Sequence, residues 1–321
     1  MIAVGVMVYA ILHPLYFLMS SLAASSLGED QLAGFGLGSL TIGIVGISIA
    51  VAFNSGLLTF TSAASGQKDY RACMIYRNRT IFLDICIYAL LSIPIVFIEE
   101  IYMWLGQQPV VAMYAAKYCK IVFPSIIFFF IFYVQTFYAS AIHRIDVPVI
   151  ATLLGTFIQY FTTMILVNKW GWGYSGLCWP IFFNFSSRFV FSWIMLGLST
   201  YPEVKPRVMF ISKETVRNLG HLFKLCLSSC FMTVWLSWAF DVLTLMSTYL
   251  NKDMIAAQTI MRTVNMIAFV VPISFQVAAA ILVGKSIGEK SVQHALRVTK
   301  ICLVCAVIGG LIVAFCLHRY R

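Results

Sequence analysis

The chain has 321 residues, 61% of them hydrophobic and 11% charged, with a mean hydropathy of +0.90. A soluble domain carries about 25% charged residues, so too little polar surface remains to cover a water-soluble globule of this size. The net charge of +10 is explained by membrane topology, as shown below, and does not point to nucleic acid.

The apolar runs reach or exceed the ~18–20 residues that cross a bilayer core. Short segments of alternating polarity, which a β-barrel requires, are missing. The fold class expected is therefore an all-α polytopic membrane protein. In chain order the sequence predicts nine spans: Ile2–Leu27, Leu32–Ser65, Ile81–Ile98, Tyr118–Ala141, Val147–Val167, Gly176–Leu198, Phe223–Leu250, Ala257–Val283 and Ile301–Leu317. Met1 leads directly into the first apolar run, without the positively charged segment of a signal peptide. The first helix thus reads as a span with a short or missing cytosolic tail.

Lys and Arg set the orientation. Connections after even-numbered spans carry fourteen of them, from Lys68 to Lys300, and connections after odd-numbered spans carry four, Lys117, Lys120, Lys169 and Lys252. The even connections and the N-terminus are expected in the cytosol. The long polar stretch Ser199–Asn218, with Pro202 and Pro206, is the expected linker between two lobes. The expected organisation is residues 1–198 for a six-helix lobe, 199–221 for the linker and 222–321 for part of a second lobe.

A long-range echo supports two lobes. Leu32–Thr80 and Ile255–Lys300 each consist of a membrane-length apolar run, a short Gly-Lys turn and a basic amphipathic stretch, and Gly66-Gln67-Lys68 aligns with Gly288-Glu289-Lys290 at an offset of 222 residues. Repeats of this length built from spans mark secondary transporters. The echo also implies that the second copy is incomplete, so the chain by itself is expected not to transport.

Several patterns carry little. Gly34-Phe-Gly-Leu-Gly38 brushes a dinucleotide motif but lies in a span, where small residues serve close helix packing. The glycosylation sequons at Asn78 and Asn184 fall in a connection expected to be cytosolic and within the bilayer. Cys302 and Cys305 have CxxC spacing inside a span, with no partners for a zinc site. Neither a nucleophile–base pair nor a metal-ligand cluster occurs, so an enzyme is not expected and no cofactor is implied.

Ionisable side chains at membrane depth are functional candidates by default. Asp241 lies ten residues before the turn at Asn251, or ~15 Å down, near the midplane of a ~30 Å core. Arg262 lies eleven residues beyond the same turn, at matching depth. Asp241 is either a static ion-pair partner of Arg262 or a carboxylate that alternates between a coupling ion and a cationic substrate. Trp235, Trp238 and Phe240 beside it suit a bulky organic cation. Arg188 sits near mid-depth in the sixth span, facing an aqueous cleft or snorkelling to headgroups. Asn54, Gln135, Gln159, Asn265 and Gln276 are uncharged polar residues within spans, for which interhelical hydrogen bonding is the plain reading and ion or substrate binding the functional one for Asn54, Gln135 and Asn265. Asp84, one turn inside the third span as delimited above, is expected at the interface.

Taken together, Leu27-Gly-Glu-Asp-Gln-Leu-Ala33, Gly46-Ile-Ser-Ile-Ala-Val-Ala-Phe-Asn-Ser-Gly56 continuing to Ser65-Gly-Gln-Lys-Asp-Tyr70, Leu105-Gly-Gln-Gln-Pro109, Trp238-Ala-Phe-Asp-Val242, Val271-Pro-Ile-Ser-Phe-Gln-Val-Ala-Ala-Ala280 and Val283-Gly-Lys-Ser-Ile-Gly288 resemble the multidrug and toxic compound extrusion (MATE) family in order and spacing. The resemblance implies twelve helices in two six-helix lobes around a V-shaped cleft. It also implies export of cationic, drug-like small molecules in exchange for H⁺ or Na⁺; a completed chain is expected to act as a monomer. Of two helix-seven acids five residues apart in eukaryotic members, the second matches Asp241 and the first falls on Leu236. A helix-one acid falls near Met19 and Ser20, a helix-two Asp and Gln on Leu58 and Ala63, and a helix-eight Arg on Leu282. Two alternatives stand beside export: a lipid-linked oligosaccharide flippase of the same superfamily, whose cleft would be lined by cations such as Arg188 and Arg262, and a degenerate lobe acting as a membrane scaffold. The membrane could be the plasma membrane or that of an organelle.

Overall fold

The computed structural model describes residues 5–8, 11–12, 19–21, 23–24, 27–199, 219–247 and 252–319. Among them there are helices and turns and no strand. α1 (Glu29–Thr41) runs through a π-helical segment, Ile42–Ile47, into α2 (Ser48–Gly66), giving one continuous 38-residue unit. It is followed by α3 (Tyr70–Val96), the short α4 (Ile98–Trp104), α5 (Pro109–Val122), a 3₁₀ turn at Phe123–Ser125, α6 (Ile126–Ala141), α7 (Asp146–Thr163) and α8 (Ser175–Gly197). α9 (Leu219–Ser247), α10 (Lys252–Gly288) and α11 (Val292–Arg319) complete the chain.

Seven of these units are long and apolar enough to cross a membrane. They correspond to seven of the nine expected spans. The sixth span is the 23-residue α8, in which Asn184, Arg188, two Trp and several Ser dilute the apolar content. The first span falls largely outside the described residues, as does the inter-lobe linker at 200–218. α9 begins at Leu219, inside the stretch assigned above to the linker.

The third span starts earlier than its hydropathy suggests. Asp69 caps it, its carboxylate accepting from Ala72 N at 3.0 Å, and the helix runs from Tyr70. Arg71, Arg77 and Arg79 therefore lie on α3 and not in a loop. The sequon residue Asn78 is buried within that helix. Burial of Arg77 is tolerated because its guanidinium lies over the rings of Tyr138 and Trp193, 5.4 and 5.0 Å from their centroids; such cation–π contacts gain strength when desolvated.

α6 is buried on nearly every side, as expected of a helix that is apolar all round. It lies at the centre of the helices before residue 200, with α2, α3 and α8 packed against it. The Gly34–Gly38 stripe packs α1 on α5: a Cβ at Gly38 would meet Tyr118 Cδ1 at 2.8 Å, whereas Gly36 faces open space. The close-packing reading of that motif holds.

The repeat is visible at atomic detail. After α2, Gln67 N bonds Ala63 O, Lys68 N bonds Ser65 O and Asp69 N bonds Ala64 O; after α10, Glu289 N bonds Lys285 O, Lys290 N bonds Ile287 O and Ser291 N bonds Ser286 O. Every partner is displaced by 222 residues. Lys68 and Lys290 share a left-handed backbone, φ 60 and 59°. The turn after α6 repeats the same three bonds around His143, φ 62°. All three turns follow even-numbered spans and share one end of the molecule, because Lys285 meets both Gly66 and His143.

α2 and α10 cross there by main chain. A Cβ on Gly66 would collide with Lys285 O, and a Cβ on Gly288 with Ala63 O. Residues 63 and 285 are themselves repeat equivalents, so the contact is reciprocal, as in a two-fold interface. Gly284 lies against Ser62, its own equivalent, which places the pseudo-two-fold axis between them. Beside this crossing Lys285 Nζ is 3.1 Å from His143 Nε2. Burial holds the His143 imidazole below the ordinary histidine value; the Lys285 cation adds to the depression and Glu289 opposes it.

Two outcomes follow from this crossing. Gly66→Ala and Gly288→Ala should each lower unfolding stability in detergent by ~1–3 kcal/mol, the usual cost of overpacking. Gly36→Ala and Gly43→Ala, which meet no atom within 4 Å, should not lower it. The neutral His143 contributes stability that is present above its unfolded value of about 6.5 and is lost as pH falls through the lower folded value. Thermal melts should therefore decline on acidification below about pH 6.5, and His143→Gln should remove that part of the decline.

Candidate functional site

The polar side chains within the spans form separate groups. The first sits where α2, α3 and α9 meet. Asn54 and Asp84 are both 0% exposed, and Asn54 Nδ2 donates to Asp84 Oδ2 at 3.0 Å and to Ala50 O at 2.9 Å. α9 closes the pocket: Cys226, itself buried, lies within electrostatic range of Asp84, and its Cα lies 2.7 Å from where a Gly56 Cβ would be. Phe53, Leu222, Leu83 and Ile87 pack around them. Asp84 is thus not interfacial. It lies fourteen residues past Tyr70, and Asn54 twelve residues before Gly66, which places both ~18–21 Å from the turn, at mid-bilayer depth. The early start of α3 accounts for the difference, and the capping residue Asp69 was the sequence signal that reveals it.

A second group lies between α7 and α8. Gln159 Nε2 donates to Ser20 Oγ at 3.0 Å, Asn184 Nδ2 to Gln159 Oε1 at 2.5 Å, and Arg188 Nη2 to Thr156 Oγ1 at 3.4 Å. Arg188 is 0% exposed, with its stem against Gly155. In this structure it neither lines an open cleft nor reaches the headgroups, contrary to both readings above. Gln135 on α6 accepts from the Ser192 hydroxyl on α8. Interhelical hydrogen bonding is therefore what Asn54, Gln135 and Gln159 do.

The third group is on α9. Asp241 is 5% exposed, and Trp238, one turn away, is half-buried. Its indole Nε1 is buried without a partner among the described residues. Phe240 packs edge-on against Phe269 of α10 at 5.6 Å, whereas Trp235 points outward, 68% exposed. Arg262 and Asn265 lie on α10, but their side chains are outside the described set. Fifteen residues of α9 separate Asp241 from Cys226, or ~22 Å along the helix, so the Asp241 and Asp84 sites are distinct. No group of three or more His, Cys, Asp or Glu able to hold a metal ion occurs among the described residues.

Bilayer-length helices, repeated with a 222-residue offset and crossing reciprocally at one end, define a polytopic membrane protein built like a two-lobed transporter. The chain belongs to the MatE family, whose model matches residues 6–165 and 228–321. It is 24% identical over 306 residues to multidrug and toxin extrusion protein 2 of Mus musculus, covering 95% of this chain and 53% of that protein. It is likewise 24% identical over 300 residues to multidrug and toxin extrusion protein 1 of Danio rerio, covering 92% of this chain and 50% of that one. Among solved structures, the eukaryotic MATE transporter AtDTX14 superposes with a TM-score of 0.86 at 19% identity, over 96% of this chain and 68% of that chain. An outward-facing MATE-family transporter of the MOP superfamily gives 0.84 at 15% identity, over 99% and 70%. The chain spans about half the length of the curated relatives it matches.

Gln159 is the hub of the α7–α8 group, bonded to both Ser20 and Asn184. Gln159→Leu should destabilise the detergent-solubilised protein by ~1–3 kcal/mol, because the Asn184 amide is left buried without its acceptor. Pairing it with Asn184→Leu should recover most of that loss, as a double-mutant cycle of thermal melts would read.

Proposed function

We propose that this chain forms the first lobe, residues 1–198, and part of the second, residues 222–321, of a secondary transporter. It exports cationic, drug-like small molecules by alternating access in exchange for H⁺ or Na⁺, as a monomer with its N-terminus in the cytosol. Asp241 carries the reading: a buried carboxylate beside the half-buried Trp238, on a helix that packs against the first six-helix unit through α2. A carboxylate edged by an aromatic face recognises an organic cation by charge and by the ring quadrupole together. The same carboxylate can take up a coupling ion once the substrate leaves. The names of the curated relatives, multidrug and toxin extrusion proteins, support this substrate class. The packed position of Arg188 lends no support to a flippase cleft lined by cations.

Binding is the appropriate test for a chain half the length of its relatives. Purified protein in nanodiscs should bind radiolabelled tetraphenylphosphonium saturably, with competition by acid. Asp241→Asn should weaken that binding at least tenfold while the melting temperature holds. Equal binding by wild type and Asp241→Asn would refute the assignment. If Asp241→Asn instead collapses the protein and Asp241→Asn with Arg262→Gln restores both folding and binding, Asp241 is a structural partner of Arg262 and leaves the transport mechanism.

A further inference from the structure

The Asp241 reading leaves unexplained a second carboxylate, more deeply buried. Asp84 is fully enclosed at mid-bilayer depth, where an uncompensated charge is costly. Among the described residues no cation pairs with it. Arg77, two turns earlier on α3, has its guanidinium over Tyr138 and Trp193. His221 on α9 packs on Phe60. From α9 the titratable groups nearest are the thiols Cys226 and Cys230, and from α2 the facing group is the neutral amide of Asn54. The four side-chain oxygen and nitrogen atoms of the Asn54–Asp84 pair tell the rest. Oδ2 of Asp84 accepts from Asn54 Nδ2, while Asp84 Oδ1 and Asn54 Oδ1 are both buried with no hydrogen-bond partner among the described residues. Two orphaned acceptors on one side-chain pair lack a donor hydrogen between them.

We propose that Asp84 is a proton-binding site, distinct from Asp241, whose occupancy is coupled to closure of α9 on α2. Binding adds one proton from water to the carboxylate and breaks no other covalent bond. The ionised carboxylate takes the amide N–H of Asn54. The protonated carboxyl becomes a donor, and Asn54 Oδ1 can receive it once the amide turns over. The amide thus serves either state with the same side chain. What changes between the states is the cost of exclusion from water. The Cys226 main chain against Gly56 keeps the pocket dry, so a closed seam favours the neutral acid, and an open, hydrated seam favours the anion. By linkage, protonation must draw α9 onto α2 to the same degree that closure retains the proton. A lone carboxylate with one amide oxygen supplies too few ligands to strip a metal cation of its water, which is why the proton is the ligand assigned.

Infrared difference spectroscopy of the purified chain in nanodiscs tests this without any substrate, so its outcome is independent of the Asp241 reading. Wild type at neutral pH should show a protonated-carboxyl C=O band that bleaches on alkaline titration and is missing in Asp84→Asn. Asn54→Ala, which removes both the donor and the acceptor, should shift that band and make it harder to bleach. It keeps the test valid if Asp84→Asn fails to fold. At one alkaline pH, where thiol chemistry is equal, Asp84→Asn should slow alkylation of Cys226 at least severalfold, since it mimics the protonated, closed state. A band that persists in Asp84→Asn, a band indifferent to Asn54→Ala, or equal Cys226 alkylation in the two proteins would overturn the proposal. Bleaching by Na⁺ at constant pH would also overturn it, by naming a different ligand.

Discussion

Inside hydrocarbon each helix satisfies its own main-chain polar groups, and two helices gain little from hiding apolar surface that lipid already solvates. What then decides how closely they approach is the size of the residues between them. At the crossing of α2 and α10 that size is reduced to a hydrogen atom, and the main chain of one repeat rests on the main chain of the other. From this contact the rest of the arrangement follows. It joins the two copies at one end, and it brings the turn after α6 into reach of Lys285.

The polar groups are arranged around that geometry in a way that separates holding from working. The Gln159–Asn184 and Gln135–Ser192 pairs join helices that precede residue 200, and Arg77 is held by two aromatic faces there. Each joins neighbouring packed helices, while Asn184 Oδ1, Gln135 Nε2 and Arg77 Nε make no further hydrogen bond among the described residues. Asp84 and Asp241 differ in kind: both are acids, both are buried, and both lie on or against α9, the helix that meets α2 from the second repeat. Asp84 lies where α9 closes on α2 and α3, and Asp241 lies farther along α9 beside α10.

Much of the architecture was legible in the sequence. The repeat could be read because a Gly-Lys turn and the apolar run before it recur together, and the structure shows why both are needed: glycine permits the crossing, and the left-handed lysine closes the turn. The burial of Asp241 followed from counting residues from Asn251. Facing was not legible, since depth counts say nothing of azimuth; Arg188 was placed correctly along its helix and wrongly toward water. Asp84 was missed because a run of arginines reads as solvent-exposed loop. Aromatic rings can shelter a guanidinium, and a capping aspartate can start a helix ahead of the apolar run, so hydropathy alone placed the helix start eleven residues late.

The reciprocal crossing has one more consequence, for the history of the chain. Each half of the contact is a glycine of one copy lying on a carbonyl of the other, and the two halves are related by the repeat itself. A change at either glycine is felt by the opposite copy, at the position where that copy would feel its own. Of residues 63–66 and 285–288 only Gly66 and Gly288 are identical, while Ala63, Ala64 and Ser65 stand opposite Lys285, Ser286 and Ile287; the crossing demands a missing side chain at one point in each copy and leaves the residues beside it free to differ.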